Sequence, residues 1–224
     1  MKIGVIIPDR KDRPRFLKNC LRMLEHQTLK PHYIHIVNDD PENNKPDITW
    51  RYRKGYEFYR NKGFDIIALI ENDDYYSPVY LETMVQEWIK QEQPDIIGTN
   101  YTIYYHLKLK AYFNMDHYHR ASAMNTLIKP DLNLTWPKNE DPYTDLHLWK
   151  NIPELSKFLF RPENHIAIGM KHGEGLCGGR SHTDRLYRYS QLNAVDDPIF
   201  EFLKNNCDIE SFKFYSNYYD TSKC

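Results

Sequence analysis

The chain has 224 residues, 30 Lys and Arg against 31 Asp and Glu, and a formal net charge of -1, so no overall basic field is available to hold nucleic acid. No apolar run approaches the roughly 20 residues that span a bilayer. Cys20, Cys177, Cys207 and Cys224 are scattered without a CxxC pair, which argues against a disulfide framework or a structural zinc and for a reducing, cytoplasmic setting.

Ile3-Gly4-Val5-Ile6-Ile7 is a continuous apolar run of the kind found in a strand buried on both faces of a parallel sheet, and it is too short for a signal-peptide core. Asp12 is suited to cap a helix with Pro14 in its first turn, and Phe16, Leu17, Cys20, Leu21 and Leu24 recur at helical spacing. Residues 32–37 form a second strand ending at Asn38-Asp39-Asp40. A helix over 48–62 carries Trp50, Tyr52, Tyr56 and Tyr59 among many charges. Residues 65–70 form a third strand ending at Glu71-Asn72-Asp73-Asp74, followed by a helix over about 79–91 and a strand over 95–99. The βαβαβαβ order predicts an α/β fold with a mostly parallel central sheet flanked by helices.

The second half is less regular. Residues 101–105 and 111–113 read as short strands or a hairpin, and 122–129 as a further strand. A short helix is predicted over 143–151, a last apolar strand over 166–170 and a final helix over 198–205. The last strand runs into a Gly-rich basic loop over 171–182. No Gly-, Ser- or Pro-rich linker divides the chain, so residues 1–224 read as one domain. It divides into a regular first half, about 1–100, and a less regular second half, about 101–224.

In open α/β sheets ligands bind beyond the carboxyl ends of the strands. Here three successive strand ends are acidic: Asp9, then Asp39 and Asp40, then Glu71, Asp73 and Asp74. Clustered carboxylates repel unless a cation joins them, and oxygen ligands of this type suit a hard divalent ion with positions left for phosphate oxygens. Among Arg51, Arg53, Lys54 and Arg60, Arg53 is the first candidate to neutralise a diphosphate. The chain has no GxxxxGKS loop, no GxSxG elbow and no GxGxxG after the first strand, which leaves kinase, serine hydrolase and dinucleotide-dehydrogenase chemistry unsupported.

Residues 3–8, 34–40 and 66–78 resemble, in order and in approximate spacing, family 2 of the glycosyltransferases, the large inverting GT-A family. Its pattern is an apolar strand ending in Pro, a strand ending in Asp, and an aliphatic strand ending in a DxD-type motif followed by an aromatic and Pro. The resemblance covers about residues 1–185 and is strongest through residue 100. Glu71 stands where the family mostly has Asp, and Arg10 departs from the Tyr-Asn usual after the first Pro.

The resemblance implies a Rossmann-like GT-A fold and transfer of a sugar from a nucleoside-diphosphate donor, UDP by family habit, to a glycan or other hydroxyl acceptor. It implies Mn²⁺ or Mg²⁺ as cofactor. Pro8, Asp9 and Arg10 would line the base pocket, and Asp39 would contact base or ribose. Glu71 and Asp73 would flank ribose and diphosphate, with Asp73 on the metal. An Asp opening a short helix would be the general base: Asp145 aligns best, and Asp141, in the more literal Glu140-Asp141 pair, competes. A helix N-terminus would favour its ionised form. A late His would complete the metal shell, His172 first and His182 second. For the acceptor, Tyr101, Tyr104, Tyr105, Asp116 and His117 are candidates.

Two alternatives share the sheet and the carboxylates. A sugar-phosphate nucleotidyltransferase would carry a Gly-rich basic loop after its first strand, whereas Asp9-Arg10-Lys11-Asp12-Arg13-Pro14 is basic without glycine. A degenerate GT-A domain that only binds a ligand is the non-enzymatic alternative.

Overall fold

The computed structural model describes residues 1–40, 45–150, 154–173 and 194–219. The first half follows the expected alternation: β1 Ile3–Pro8, α1 Pro14–Glu25, β2 Tyr33–Val37, α2 Ile48–Tyr59, β3 Ile66–Leu69, a two-residue β4 Tyr75–Tyr76, α3 Tyr80–Lys90 and β5 Ile96–Thr99. The second half contributes a hairpin, β6 Tyr101–His106 and β7 Ala111–Asp116, then β8 Thr126–Ile128, α4 Thr144–Lys150, β9 Lys157–Phe160, β10 Ala167–Lys171 and β11 Val195–Asp196. Two helices come last, α5 Glu201–Asn206 and α6 Ile209–Ser216.

β1 is an interior strand, next to the edge strand β2, of a six-stranded sheet of order β2-β1-β3-β8-β5-β9. It pairs in parallel with β2 on one side and β3 on the other, with Val5 opposite both Ile34 and Ala68. Alternate residues serve opposite faces, as the pleat requires. Ile3, Val5 and Ile7 join Phe16, Cys20, Leu24, Met84 and Trp88 on one side, while Ile6 joins Tyr52, Tyr56 and Tyr59 of α2 on the other. Both faces are therefore buried, which is why β1 has no polar alternation. Helix α2 lies close against the sheet because Gly55 has no side chain; a Cβ there would stand 2.5 Å from Ile6 Cγ2.

The sheet departs from the expected parallel order at one place. β8 inserts between β3 and β5 and runs antiparallel to both. The chain leaves β5 through a hairpin and a single 3-10 turn, Ala123–Asn125, with no crossover helix between. A parallel return needs such a crossover, so the strand comes back reversed. The cap of α1 also differs: Arg13, not Asp12, is the N-cap residue, and it makes no side-chain cap hydrogen bond, although Pro14 does open the helix.

The expected hairpin and last strand, β6, β7 and β10, join β4 and β11 in a second, five-stranded sheet of order β11-β7-β6-β10-β4, a grouping that was not legible in the sequence. β4, immediately after the acidic tip of β3, pairs antiparallel with β10, Tyr75 opposite Ile168 and Tyr76 opposite Ala167. Because the two strands run in opposite directions, moving forward along β10 to Lys171 and His172 means moving backward from Tyr75 into Asp74 and Asp73.

Candidate active site

The tip of β3 carries Glu71, Asp73 and Asp74, which each offer a carboxylate oxygen within 4.8 Å of the others. Asp74 is fully buried. Its Oδ1 accepts from the Met170 backbone N–H at 2.7 Å, while Oδ2 has no hydrogen-bond partner among the described residues. Burial raises the Asp74 pKa well above the carboxylate range, against the opposing charge of Lys171. Burial likewise pushes Glu71 up to about 7, with Lys171 opposing and the charges of Asp73 and Asp145 adding to the rise.

Asp73 has the opposite fate. Burial works against its charge, but the Arg13 guanidinium, followed by the His172 hydrogen bond, outweighs burial and holds the carboxyl well below its usual range. Arg13 Nη1 lies 2.6 Å from Asp73 Oδ2, and His172 Nε2 lies 2.9 Å from the same oxygen. The residues meet across 99 positions of sequence because β10 pairs with β4. Lys171, the last residue of β10, faces the acidic tip as well: burial opposes its charge, but Asp74 and Glu71 raise its pKa above the lysine range.

Three aromatic side chains set the imidazole in place. His172 is 4% exposed, with its ring 4.6 Å from that of Phe16 and 6.0 Å from that of Tyr218, and the Tyr219 hydroxyl donates to its backbone carbonyl. The Tyr215 hydroxyl donates to the Asp73 carbonyl at 3.3 Å. These hydroxyl contacts come from α6 and the residues after it, a segment that the motifs did not single out. Asp208 caps α6 by accepting from Glu210 and Ser211 N–H, and Arg22 ties that cap to α1 through Asp208 at 3.1 Å.

Asp145 is the second residue of α4. Its Oδ2 accepts from Arg120 Nη1, and its charge is felt at both Glu71 and Tyr104. Burial raises its pKa despite Arg120 and the backbone N–H groups at the start of the helix, so the expected effect of the helix terminus is the weaker one. Asp141 has a different setting. Its Oδ1 accepts from Tyr143 N–H at 2.8 Å, and its Oδ2 is 3.1 Å from His147 Nε2, so both partners belong to its own loop and helix.

The nucleotide-side candidates follow the ends of β1 and β2. Pro8 closes β1 opposite Val37. Asp9 is buried and accepts from Asn72 Nδ2 at 3.0 Å, which joins the first acidic strand end to the third. Arg10 pairs with Asp47 at 3.0 Å, and Asp39 pairs with Lys54 at 2.7 Å. Arg53 lies along the wet side of α2, 4.0 Å from Glu57. Its neighbour Arg51 is the buried one: it donates to the carbonyls of Val37 and Asp39 and pairs with Asp47, which pins the loop after β2. Of the acceptor candidates, Tyr105 and His117 are buried, and the Tyr105 hydroxyl is committed to Asp197 at 2.9 Å. Tyr101 and Tyr104 retain partial exposure, and Asp116 is exposed. His182, with most of the Gly-rich loop, lies outside the described residues.

Carboxylate oxygens with one imidazole nitrogen form a donor set suited to Mn²⁺ or Mg²⁺, and the unpartnered Asp74 Oδ2 leaves acceptor capacity beside it. The residues present therefore fit a divalent ion. Sequence reasoning missed Arg13, Arg120, Tyr215 and Tyr219. The only signal for Arg13 was its place in the basic stretch before Pro14.

No protein-family model matches the chain. Two Bacillus subtilis (strain 168) proteins named as glycosyltransferases are similar to it. EpsJ is 24% identical over 228 residues, which cover 91% of this chain and 61% of EpsJ. EpsH is 31% identical over 104 residues, 38% of this chain and 30% of EpsH. The chain is related to glycosyltransferases. Among solved structures, S. aureus TarS 1–349 superposes with a TM-score of 0.51 at 11% identity, over 76% of this chain and 61% of that one. The TarS complex with UDP-GlcNAc gives 0.50 at 12% identity, over 98% and 71%. The fold is thus the GT-A fold that the resemblance implied, and the chain spans less than two thirds of the length of either Bacillus protein.

Proposed function

We propose that the chain is an inverting glycosyltransferase that moves a sugar from a nucleoside-diphosphate donor, a UDP-sugar, to the hydroxyl of a glycan or other acceptor. The observation that carries this reading is the meeting of Asp73 and His172 at the tip of β3, where Glu71 and Asp74 offer further carboxylate oxygens, on a GT-A fold. The TarS structure with UDP-GlcNAc supports the choice of donor. The scattered cysteines and the lack, among described residues, of a helix long and apolar enough to cross a membrane are compatible with a cytoplasmic site of action.

Pro8, Asp9, Arg10 and Asp39 are assigned to base and ribose, at the ends of β1 and β2. Glu71, Asp73 and His172 would hold the metal. A bound Mn²⁺ or Mg²⁺ supplies positive charge for the diphosphate that departs. Asp145 takes the proton of the attacking hydroxyl. Its raised pKa brings it closer to the working pH, which strengthens it as a base, and Arg120 fixes the orientation of the carboxylate. Asp145 is preferred to Asp141 because both carboxylate oxygens of Asp141 are bound to Tyr143 and His147, whereas Asp145 is held from outside its own helix by Arg120.

Calorimetric titration of UDP, GDP and dTDP with Mn²⁺, then with EDTA, tests the reading. The expected result is metal-dependent binding of UDP that is lost in Asp73→Ala. Absence of binding by any nucleotide with metal present would overturn it.

A further inference from the structure

We infer that Arg13 is a resident counter-ion at the metal position, exchanged for the divalent cation when the donor binds. The inference rests on the metal site proposed above and adds a residue to its working.

The geometry is a closed triangle. Arg13 Nη1 is 2.6 Å from Asp73 Oδ2 and 2.9 Å from His172 Nε2, and those two atoms are 2.9 Å from each other. A small divalent ion held by both atoms would stand about 2.0–2.2 Å from each. The guanidinium nitrogen therefore occupies the corner such an ion would use. Two cations cannot share it, since their repulsion at a separation of a few ångströms is large in a half-buried site. Binding of the metal requires Arg13 to withdraw.

The placement of Arg13 suits withdrawal. It stands just outside α1, at the cap position rather than within the helix, and its guanidinium lies over the Phe16 ring at 5.8 Å to the centroid. Its Nε is buried without a close hydrogen-bond partner among the described residues, with Asp12 Oδ1 standing 3.5 Å away. A phosphate oxygen would satisfy that donor with a charge-assisted bond. A donor that arrives with its metal thus offers the ion to Asp73 and His172 and the diphosphate to Arg13. In the absence of a donor, Arg13 keeps the carboxylates of the tip from repelling one another. The consequence is an intrinsic metal affinity kept low until the nucleotide is present.

The test is a paramagnetic-resonance titration of Mn²⁺ into the full chain without nucleotide, for the wild type, Arg13→Met and Arg13→Lys, with circular dichroism to verify folding. Removing the competing charged hydrogen bonds in Arg13→Met is expected to tighten Mn²⁺ binding by about tenfold or more. Arg13→Lys, which keeps a positive charge but on a compact, more strongly hydrated head group, is expected to fall between, and it decides the matter alone if the Met variant does not fold. Unchanged or weaker Mn²⁺ affinity in the folded variants, or no Mn²⁺ binding by any of the proteins, would overturn the exchange. Nucleotide is absent from this titration, so tighter Mn²⁺ binding supports the exchange even if the calorimetry removes the transferase reading.

Discussion

Side chains of one chemical type do different work at the tip of β3. Asp74 is buried and accepts a strand N–H, Asp73 is held ionised by Arg13, and Glu71 is raised by burial. The same contrast separates the two candidate bases. Asp145→Asn removes the proton acceptor and keeps the shape. It is expected to lower kcat by about 10²–10⁴ while leaving UDP affinity unchanged, because the base contacts the acceptor and not the nucleotide. Asp141→Asn is expected to leave kcat within a few-fold. Steady-state kinetics beside nucleotide calorimetry separates the two; an equal loss in both variants would remove the assignment of Asp145. The acidic residues were legible as candidates because strand ends advertise them. Their protonation was not, since it depends on Arg13, Lys171 and His172, which reach the tip from other parts of the chain.

Helix α2 shows how an element is fixed by more than its apolar face. The Tyr59 hydroxyl, in its last turn, sits in the ladder between β1 and β2. It lies 3.1 Å from the Val5 N–H that donates to it and 2.8 and 3.0 Å from the carbonyls of Val5 and Tyr33. Tyr59→Phe leaves these buried backbone groups without that partner, and the expected cost is about 1–3 kcal/mol, read as a lower urea midpoint with an unchanged slope. The sequence placed Trp50, Tyr52, Tyr56 and Tyr59 on a helix over 48–62, and the structure buries the three tyrosines. The hydroxyl's role in the ladder has no sequence signature. Helix α6 is the reverse case. Its Asp208 cap is an ordinary N-terminal signal, yet its value lies in Tyr215, Tyr218 and Tyr219, whose contacts with Asp73 and His172 depend on where the helix docks.

The whole molecule carries two buried histidines that burial keeps neutral, one of them, His106, opposite Lys171 in the pairing of β6 with β10, and they make its stability depend on pH. Burial lowers His117 to about 4, with Arg120 adding to the effect, and burial lowers His106 to about 4 as well. Both side chains are almost fully inaccessible. Above the ordinary imidazole pKa of about 6.5 neither state of the chain is protonated there. Between that value and about 4 the unfolded chain takes up protons that the folded one excludes, so stability falls as the pH drops through this window, by roughly 1–3 kcal/mol for each imidazole. Urea denaturation at pH 7 and pH 5 is expected to show the fall, and His117→Asn to show a smaller one; an equal fall in the variant would show that His117 does not contribute.

Strands β1, β2 and β3, their burial and the acidic residues at their ends were all written in the order of residues, because apolar runs and the residues that stop them are local properties. The same order predicted a mostly parallel α/β sheet, and the resemblance of its motifs to family 2 of the glycosyltransferases implied the GT-A fold. Packing was needed to make β8 enter reversed, to pair β4 with β10 so that His172 meets Asp73, and to stand Arg13 between them. These outcomes depend on which strands become neighbours and in which direction, and register between segments about a hundred residues apart is written in no local pattern.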